Sequence, residues 1–357
     1  MMHRQTKQTT TLSPIAYFRF LSFVALFHAI TWGISFLPTL AWSWNPTAGD
    51  FSKASPSDVR LMAYNTARNF ISVSAADSTF SRILKAIDPD VIAFEEIRDN
   101  ITTTQLVSRL NSILPLAGGQ SWKVHLGKSD GTIRTVLASR TTQTLQMLDT
   151  VPASEVRGVN GALVQMPRPT YDFDLYVMAV HLKALAGGTN TQRRQKACDA
   201  LAKWFGDLRT PGGAIDLPTS TPAIVMGDFN FVDPDPQQPE VTLRTGDIVD
   251  NATYGPDIKP DWDASDLFDV TPRDPYTNAT YTYPNFTPPS RIDRFYLTDS
   301  VAIVKNAFIL NTKSMTQTQL SAAGLDAHDT ELASDHLPIV MDIWFPVPVT
   351  LSAFSIE

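Results

Sequence analysis

The chain has 357 residues, enough for one large or two ordinary domains with a sizeable core, and its 43% hydrophobic and 18% charged content is that of a soluble globular protein. A formal net charge of −7 opposes tight, sequence-independent nucleic-acid binding through bulk electrostatics. The single cysteine, Cys198, excludes an intrachain disulfide.

The first 43 residues carry Arg4, Lys7 and Arg19 but no acid, and Phe20 to Leu37 is uncharged. A basic start, an apolar run and the small residues of Ala41-Trp42-Ser43 read as a cleaved export signal over residues 1–43. The apolar run also just reaches the length of a membrane span, with Trp42 and Trp44 as interface anchors, so an uncleaved N-terminal anchor is the alternative. Without residues 1–43 the chain keeps 26 Lys+Arg against 36 Asp+Glu. A nucleic-acid partner would then be met through a local basic patch and a metal ion, and a membrane only through the N-terminal segment.

Residues 44–57 are turn formers and read as a linker, with one domain over 58–346 and a tail over 347–357. Val59 to Ala63 alternates as a strand and runs into Tyr64-Asn65-Thr66. Phe80, Ile83, Leu84 and Ile87 have helical spacing, and Pro89 ends that helix. The strand Asp90 to Phe94 enters Glu95-Glu96, and Leu106 to Leu114 marks a second helix stopped by Pro115. Trp122 to Gln165 is β-like, with strands expected at Trp122–Leu126, Thr132–Ser139, Leu145–Val151 and Ala162–Met166. Asp174 to Ala179 is an apolar strand that delivers His181-Leu182-Lys183, and Thr191 to Leu208 is a helix. Pro222 to Met226 is a buried-type strand ending in Gly227-Asp228-Phe229-Asn230. Residues 232–275 hold eleven acids, three bases and many prolines, and read as mostly loop with a short segment at Asp266 to Val270. Strands follow at Ile292–Leu297, Val301–Leu310 and Leu337–Phe345, the last preceded by Ser334-Asp335-His336. The sum is one α/β domain with many antiparallel strands and its helices outside.

Asn65, Glu96, His181, Asp228, Asn230, Asp293, Asp335 and His336 all fall at strand ends or in the adjoining turn. Acids, amides and histidines gathered from separate strands are how a pocket is assembled from distant sequence. Carboxylates with an amide are hard oxygen ligands suited to Mg²⁺ or Mn²⁺. With no pair of histidines at helical zinc spacing and no second cysteine, zinc is disfavoured. A divalent cation beside a carboxylate-backed histidine suits phosphoryl chemistry. Lys183, two residues beyond His181, and Arg134 in Gly131-Thr-Ile-Arg134 are candidates to contact substrate. Arg193 and Arg194 read as a solvated helix face, Glu95 as a solvated or outer acid, and Arg291 as a surface residue as readily as a functional one. Asp261, Asp263 and Asp266 lie close enough to suggest Ca²⁺ weakly, since the glycine and terminal glutamate of a standard calcium loop are missing.

Six stretches in order, Met62-Ala-Tyr-Asn65, Pro89-Asp-Val-Ile-Ala-Phe-Glu-Glu96, Val180-His-Leu-Lys183, Gly227-Asp-Phe-Asn230, Arg291-Ile-Asp293 and Ser334-Asp-His336, resemble the endonuclease/exonuclease/phosphatase superfamily. The resemblance is greatest to deoxyribonuclease-like, exported bacterial members. It implies a four-layer sandwich of two packed, mainly antiparallel sheets flanked by helices, with the site at one edge. It implies Glu96 as principal metal ligand, helped by Asn65 and Asp335, and Glu95 standing where relatives often have Gln. Asp228 would orient or deprotonate the attacking water, Asn230 hold the phosphate, and His181 assist the leaving group. His336, supported by Asp293, would contact phosphate or act as base, a division from Asp228 left open. The implied activity is metal-dependent phosphodiester hydrolysis, first of all by a nuclease. A sphingomyelinase-like phospholipase or a phosphomonoesterase is the alternative, with Tyr281 to Phe286 as the candidate lipid loop. A non-catalytic binding protein comes last, because none of the eight strand-end residues is missing.

Overall fold

In the computed structural model, residues 44–71, 76–145, 158–166, 170–171, 173–232 and 237–346 are described. The expected leader (1–43), most of the strand expected over Leu145–Val151 and the tail (347–357) lie outside them.

Val59–Asn65 forms β1 with all seven residues buried, as a central strand covered on both faces must be. A crossover through α1 (Ala76–Ile87) leads to β2 (Val91–Arg98), parallel to β1. The expected face of α1, Phe80, Ile83, Leu84 and Ile87, is buried, and the helix stops at Asp88 before Pro89. The α region is sterically disfavoured for a residue preceding proline. After α2 (Thr103–Ile113), started by a Thr102/Gln105 capping box, come β3 (Lys123–Leu126) and β4 (Ile133–Ser139).

The second sheet begins with β5 (Gln143–Leu145) and β6 (Asn160–Gln165). At its centre β7 (Asp174–His181) crosses through α3 (Gly188–Arg209) to a parallel β8 (Ala223–Asp228). Then follow α4 (Gln238–Thr245), α5 (Asn251–Tyr254), β9 (Phe268–Val270) and β10 (Asp293–Leu297). The chain returns to the first sheet with β11 (Ile303–Ile309), α6 (Gln317–Ala323), α7 (Asp329–Ala333) and β12 (Ile339–Trp344).

The strand orders are β11-β12-β1-β2-β4-β3 and β5-β6-β7-β8-β10-β9. Both sheets share one plan: a parallel pair joined through a helix at the centre and an antiparallel pair on either side. Leu61, Ala63, Val91, Ala93 and Met341 of the first sheet meet Val177, Ala179, Ile224, Met226 and Phe295 of the second in one apolar layer. A second cluster joins Met62, Ile92 and Phe94 to α1 and α2, and a third joins Tyr176, Met178 and Val225 to Cys198, Leu201 and Phe205 of α3. These are the four layers expected from the resemblance.

Residues 232–275 are mostly loop, with the expected short segment present as β9, but they also form α4 and α5. Pro239 sits in the first turn of α4 and Gly246 closes it in left-handed conformation, an asymmetry that marks helix ends. Leu243, fully buried, pins it. The acids Asp261, Asp263 and Asp266 form no cation site among the described residues. Asp261 is fully buried and receives Ser300 N at 3.2 Å, while Asp266 pairs with Lys259 at 2.5 Å. In the 44–57 stretch, Phe51 is buried and stacks on Phe308 with ring centroids 5.3 Å apart.

Candidate active site

Side chains alternate across a strand, so every second residue faces the layer between the sheets. Along β1 these are Leu61, Ala63 and then Asn65; along β2, Val91, Ala93 and then Glu95. Along β7 they are Val177, Ala179 and then His181; along β8, Ile224, Met226 and then Asp228. β10 runs the other way, so Asp293 precedes Phe295 and Leu297. Each apolar row therefore ends in a polar residue at the same rim of the sandwich. Register aligns them: Asn65 lies beside Glu95, and His181, Asp228 and Asp293 are direct neighbours across three strands.

Asp228 is buried, and its carboxylate accepts from Asn65 Nδ2 at 3.1 Å and from the Asn230 amide at 2.9 Å. His181 Nε2 stands 3.4 Å from Asp228 Oδ2. Asn230, in left-handed backbone with φ 51°, turns its side chain back to donate to the Leu182 carbonyl at 3.3 Å. His336 Nδ1 is 2.9 Å from Asp293 Oδ2, and its Nε2 is 3.9 Å from Asp228 Oδ2. The loop before β12 is held to β1, because Ser334 Oγ donates to the Asn65 carbonyl at 2.7 Å and accepts the His336 amide at 3.1 Å. Burial and then the Asp293 charge push the Asp228 carboxyl up to about 7. Burial alone would lower the His336 pKa, but the charge and hydrogen bond of Asp293, with Asp228 and Asp335, outweigh it and raise it to about 9.

The remaining expected residues are placed differently. Glu96 lies on a bulge of β2, where pairing with β4 shifts between Phe94 and Ile97, and has φ 56°. The bulge turns Glu96 out of the row, and its Oε2 lies 3.3 Å from Arg68 Nε. Asp335 is exposed beside Tyr283, whose hydroxyl its carboxylate engages. Lys183 is half-buried in the loop after β7. Arg134 is ion-paired to Asp99 and donates to the Asp99 carbonyl at 2.9 Å.

Sequence reasoning undervalued four residues. Glu95 is not a solvated acid: it is fully buried and neither carboxylate oxygen has a hydrogen-bond partner. Burial, then Asp293 and Asp228, raise its pKa. Arg194 is not on a solvated face but buried, donating to the carbonyls of Lys183 and Leu185 at 2.8 Å. Arg291 pairs with Asp269 and donates to the Val270 carbonyl at 2.8 Å. Tyr283 packs its ring at 62° to the His336 ring with centroids 4.9 Å apart. Strand alternation alone would have found Glu95; Tyr283 lies in the stretch offered as a lipid loop, but nothing in the sequence places it against His336.

A model of the Endonuclease/Exonuclease/phosphatase family matches residues 62–336. Among solved structures, the chain is similar to the endonuclease/exonuclease/phosphatase from Beutenbergia cavernae at 19% identity and TM-score 0.50, over 81% of this chain and 72% of that one. It is also similar to that from Bacteroides vulgatus at 16% identity and TM-score 0.50, over 81% and 99%. A family protein from Bacteroides thetaiotaomicron aligns at 15% identity and TM-score 0.50, over 82% and 97%. These likenesses concern the fold. No curated protein matches the sequence.

Proposed function

From the membership of this chain in the endonuclease/exonuclease/phosphatase family, whose members are hydrolases of phosphoester bonds, we propose an exported, divalent-metal-dependent phosphodiesterase with nucleic acid as substrate. The observation that carries the reading is the buried Asp228–His336–Asp293 group, two carboxylates and an imidazole whose polar atoms lie within 4.8 Å of one another.

The residues fit a hard divalent cation. Both Glu95 oxygens and Asp293 Oδ1 are buried beside the site without hydrogen-bond partners, acceptor atoms that a cation would satisfy. Glu96, Asn65 and Asp335 would hold it, and carboxylates with one amide suit Mg²⁺ or Mn²⁺. When bound, the ion supplies charge that stabilises the developing phosphoryl oxyanion.

The chain's own residues divide the remaining work. Asp228, with its pKa raised to about 7, is basic enough to take a proton from the attacking water near neutrality. His336, raised to about 9, is cationic there and faces the phosphate as charge and donor, which gives the base role to Asp228. Asp293 orients the imidazolium from Nδ1. Asn230 positions the phosphate, and His181, 3.4 Å from Asp228, assists the departing oxygen.

The test is hydrolysis of bis-p-nitrophenyl phosphate by the full chain with Mg²⁺ or Mn²⁺. Activity should stop with a chelator and in Asp228→Ala and His336→Ala; activity unchanged in either variant removes the site assignment. Plasmid DNA, RNA, inositol phosphates and sphingomyelin vesicles, compared at two salt concentrations, decide the substrate. A lipid-directed reading is favoured by Phe286, 39% exposed beside Tyr283 in the candidate lipid loop, and sphingomyelin as the fastest substrate would establish it over the nuclease. Export is tested by sequencing the N-terminus of the protein recovered outside the cell.

A further inference from the structure

Three residues at the mouth of the site hold left-handed backbone without being glycine: Ala67 (φ 47°), Arg68 (φ 67°) and Glu96 (φ 56°). Such conformations persist only where the surroundings dictate them. Here they do. Asn65 Oδ1 accepts from the Ala67 amide at 3.1 Å, and the amide and hydroxyl of Thr66 both donate to the Glu95 carbonyl at 3.0 Å. The Arg68 carbonyl accepts from Arg98 Nε at 3.0 Å, and Asn69 Nδ2 donates to the Ala333 carbonyl at 3.2 Å. The turn 66–69 is thus pinned to β2 on one side and to the loop leading to Asp335-His336 on the other. What it presents is Arg68, whose Nε is 3.3 Å from Glu96 Oε2, with the Arg68 side chain 47% exposed.

Arg134, the arginine the sequence offered for substrate contact, is committed to Asp99, and Arg194 and Arg291 are committed likewise, to the Lys183 and Leu185 carbonyls and to Asp269. Arg68 instead pairs with an acid of the site itself. A guanidinium has five donors in a planar fork that matches a phosphate as well as a carboxylate.

We propose that Arg68 is a substrate-binding residue that takes the non-bridging oxygens of the substrate phosphate, and that it competes with the metal ion for Glu96. This rests on the reading of Glu96 as a metal ligand and of a phosphoester as substrate. It has two consequences of opposite sign. Removing the guanidinium releases Glu96 to the cation and tightens metal binding, while it weakens phosphate binding. A purely structural Arg68 would do neither, or weaken both.

The experiment uses the full chain as wild type, Arg68→Ala, Arg68→Lys and Glu96→Gln. Mn²⁺ binding is followed by electron paramagnetic resonance of the free ion, and inorganic phosphate binding by calorimetry with and without Mn²⁺. Arg68→Ala should bind Mn²⁺ about 2–5-fold more tightly, the scale of one partly exposed ion pair. It should bind phosphate roughly 10-fold or more weakly, the scale of hydrogen bonds to a charged group. Arg68→Lys keeps the charge but loses the fork, so Mn²⁺ affinity should stay near wild type while phosphate binding falls part-way. Phosphate affinity unchanged in Arg68→Ala, or Mn²⁺ affinity weakened along with it in a protein of unaltered melting temperature, overturns the proposal. If Arg68→Ala does not fold, Arg68→Lys with undiminished phosphate affinity overturns it instead. Mn²⁺ binding that survives Glu96→Gln removes the metal assignment, and with it the competition, whereas the phosphate titrations without Mn²⁺ judge the substrate contact separately.

Discussion

Asp293 and Asp228 stand directly opposite each other on neighbouring antiparallel strands, and both point into the buried layer between the sheets. Two carboxylates so placed repel, and His336 lies across them, 2.9 Å from one and 3.9 Å from the other. The imidazole is the cation that lets Asp228 ionise near neutrality.

The pH dependence follows from these two groups. Activity should fall below about 7 as Asp228 takes up a proton, and above about 9 as His336 loses one. Asp293→Asn removes the charge that holds the imidazolium, so the upper limb of kcat/KM should move to lower pH; an upper limb that stays in place would exclude His336 as its source. Because the folded pKa of His336 lies above its ordinary 6.5, its stabilising contribution is complete below about 6.5 and is lost as pH rises through about 9. Denaturant unfolding of His336→Gln beside wild type across that window checks the sign.

Asp228→Asn keeps the shape of the side chain and removes the proposed base. Its kcat on a generic diester should drop about 10²–10⁴-fold, with KM changing far less. A loss carried mainly by KM would instead mark Asp228 as a binding residue.

Gly227→Ala should destabilise the protein and disrupt the site together. Gly227 has φ 132°, and a Cβ there would lie 2.2 Å from the Val180 carbonyl oxygen and 2.7 Å from Glu95 Oε1. Overpacking on backbone, added to a disfavoured φ, costs about 2–4 kcal/mol, read as a lower urea midpoint. An unchanged midpoint would mean that β7 and β8 are less tightly held than described.

Far from the site, Arg60 and Asp342 form a buried pair on neighbouring strands, with contacts of 2.6 and 2.7 Å, and Arg60 also donates to the Ile87 carbonyl at 2.7 Å. Asp342→Ala strands a buried guanidinium and should cost about 3–5 kcal/mol in urea unfolding. The double variant Arg60→Met, Asp342→Leu should recover most of that loss; a double variant as unstable as the single one would show that Arg60 matters through the Phe51 and Ile87 carbonyls it also bonds.

The sheet strands were legible because their apolar runs are long and end in polar residues that have no place in a core. The pairing of Asp293 with His336 came from the family resemblance, and the 2.9 Å contact between them agrees with it. The resemblance ranked Glu96 above Glu95 although alternation favours Glu95, and the β2 bulge that turns Glu96 out of the row leaves no mark in a run as regular as Val-Ile-Ala-Phe-Glu-Glu-Ile. The prolines that made residues 232–275 read as loop include Pro239, which starts α4. Arg194 looked solvated because Arg193-Arg194 opens a polar helical turn, and only the path of the Lys183–Leu185 loop supplies the carbonyls that bury it. Tyr283 belongs to the site through tertiary packing alone.

The order of strands has a consequence for how the protein is made. Residues 143–297 supply the whole of the second sheet as one uninterrupted length of chain, whereas the first is assembled from 59–139 and 303–344. On a ribosome, or emerging from a translocation pore, the middle of the chain can pair its strands while β1 still lacks its neighbour β12. His181, Asp228 and Asp293 are then already in register, while Asp335 and His336 have still to arrive. Only when the segment through His336 arrives and β12 pairs with β1 is the His336–Asp293 contact made, so almost the last strand of the domain completes the proposed site.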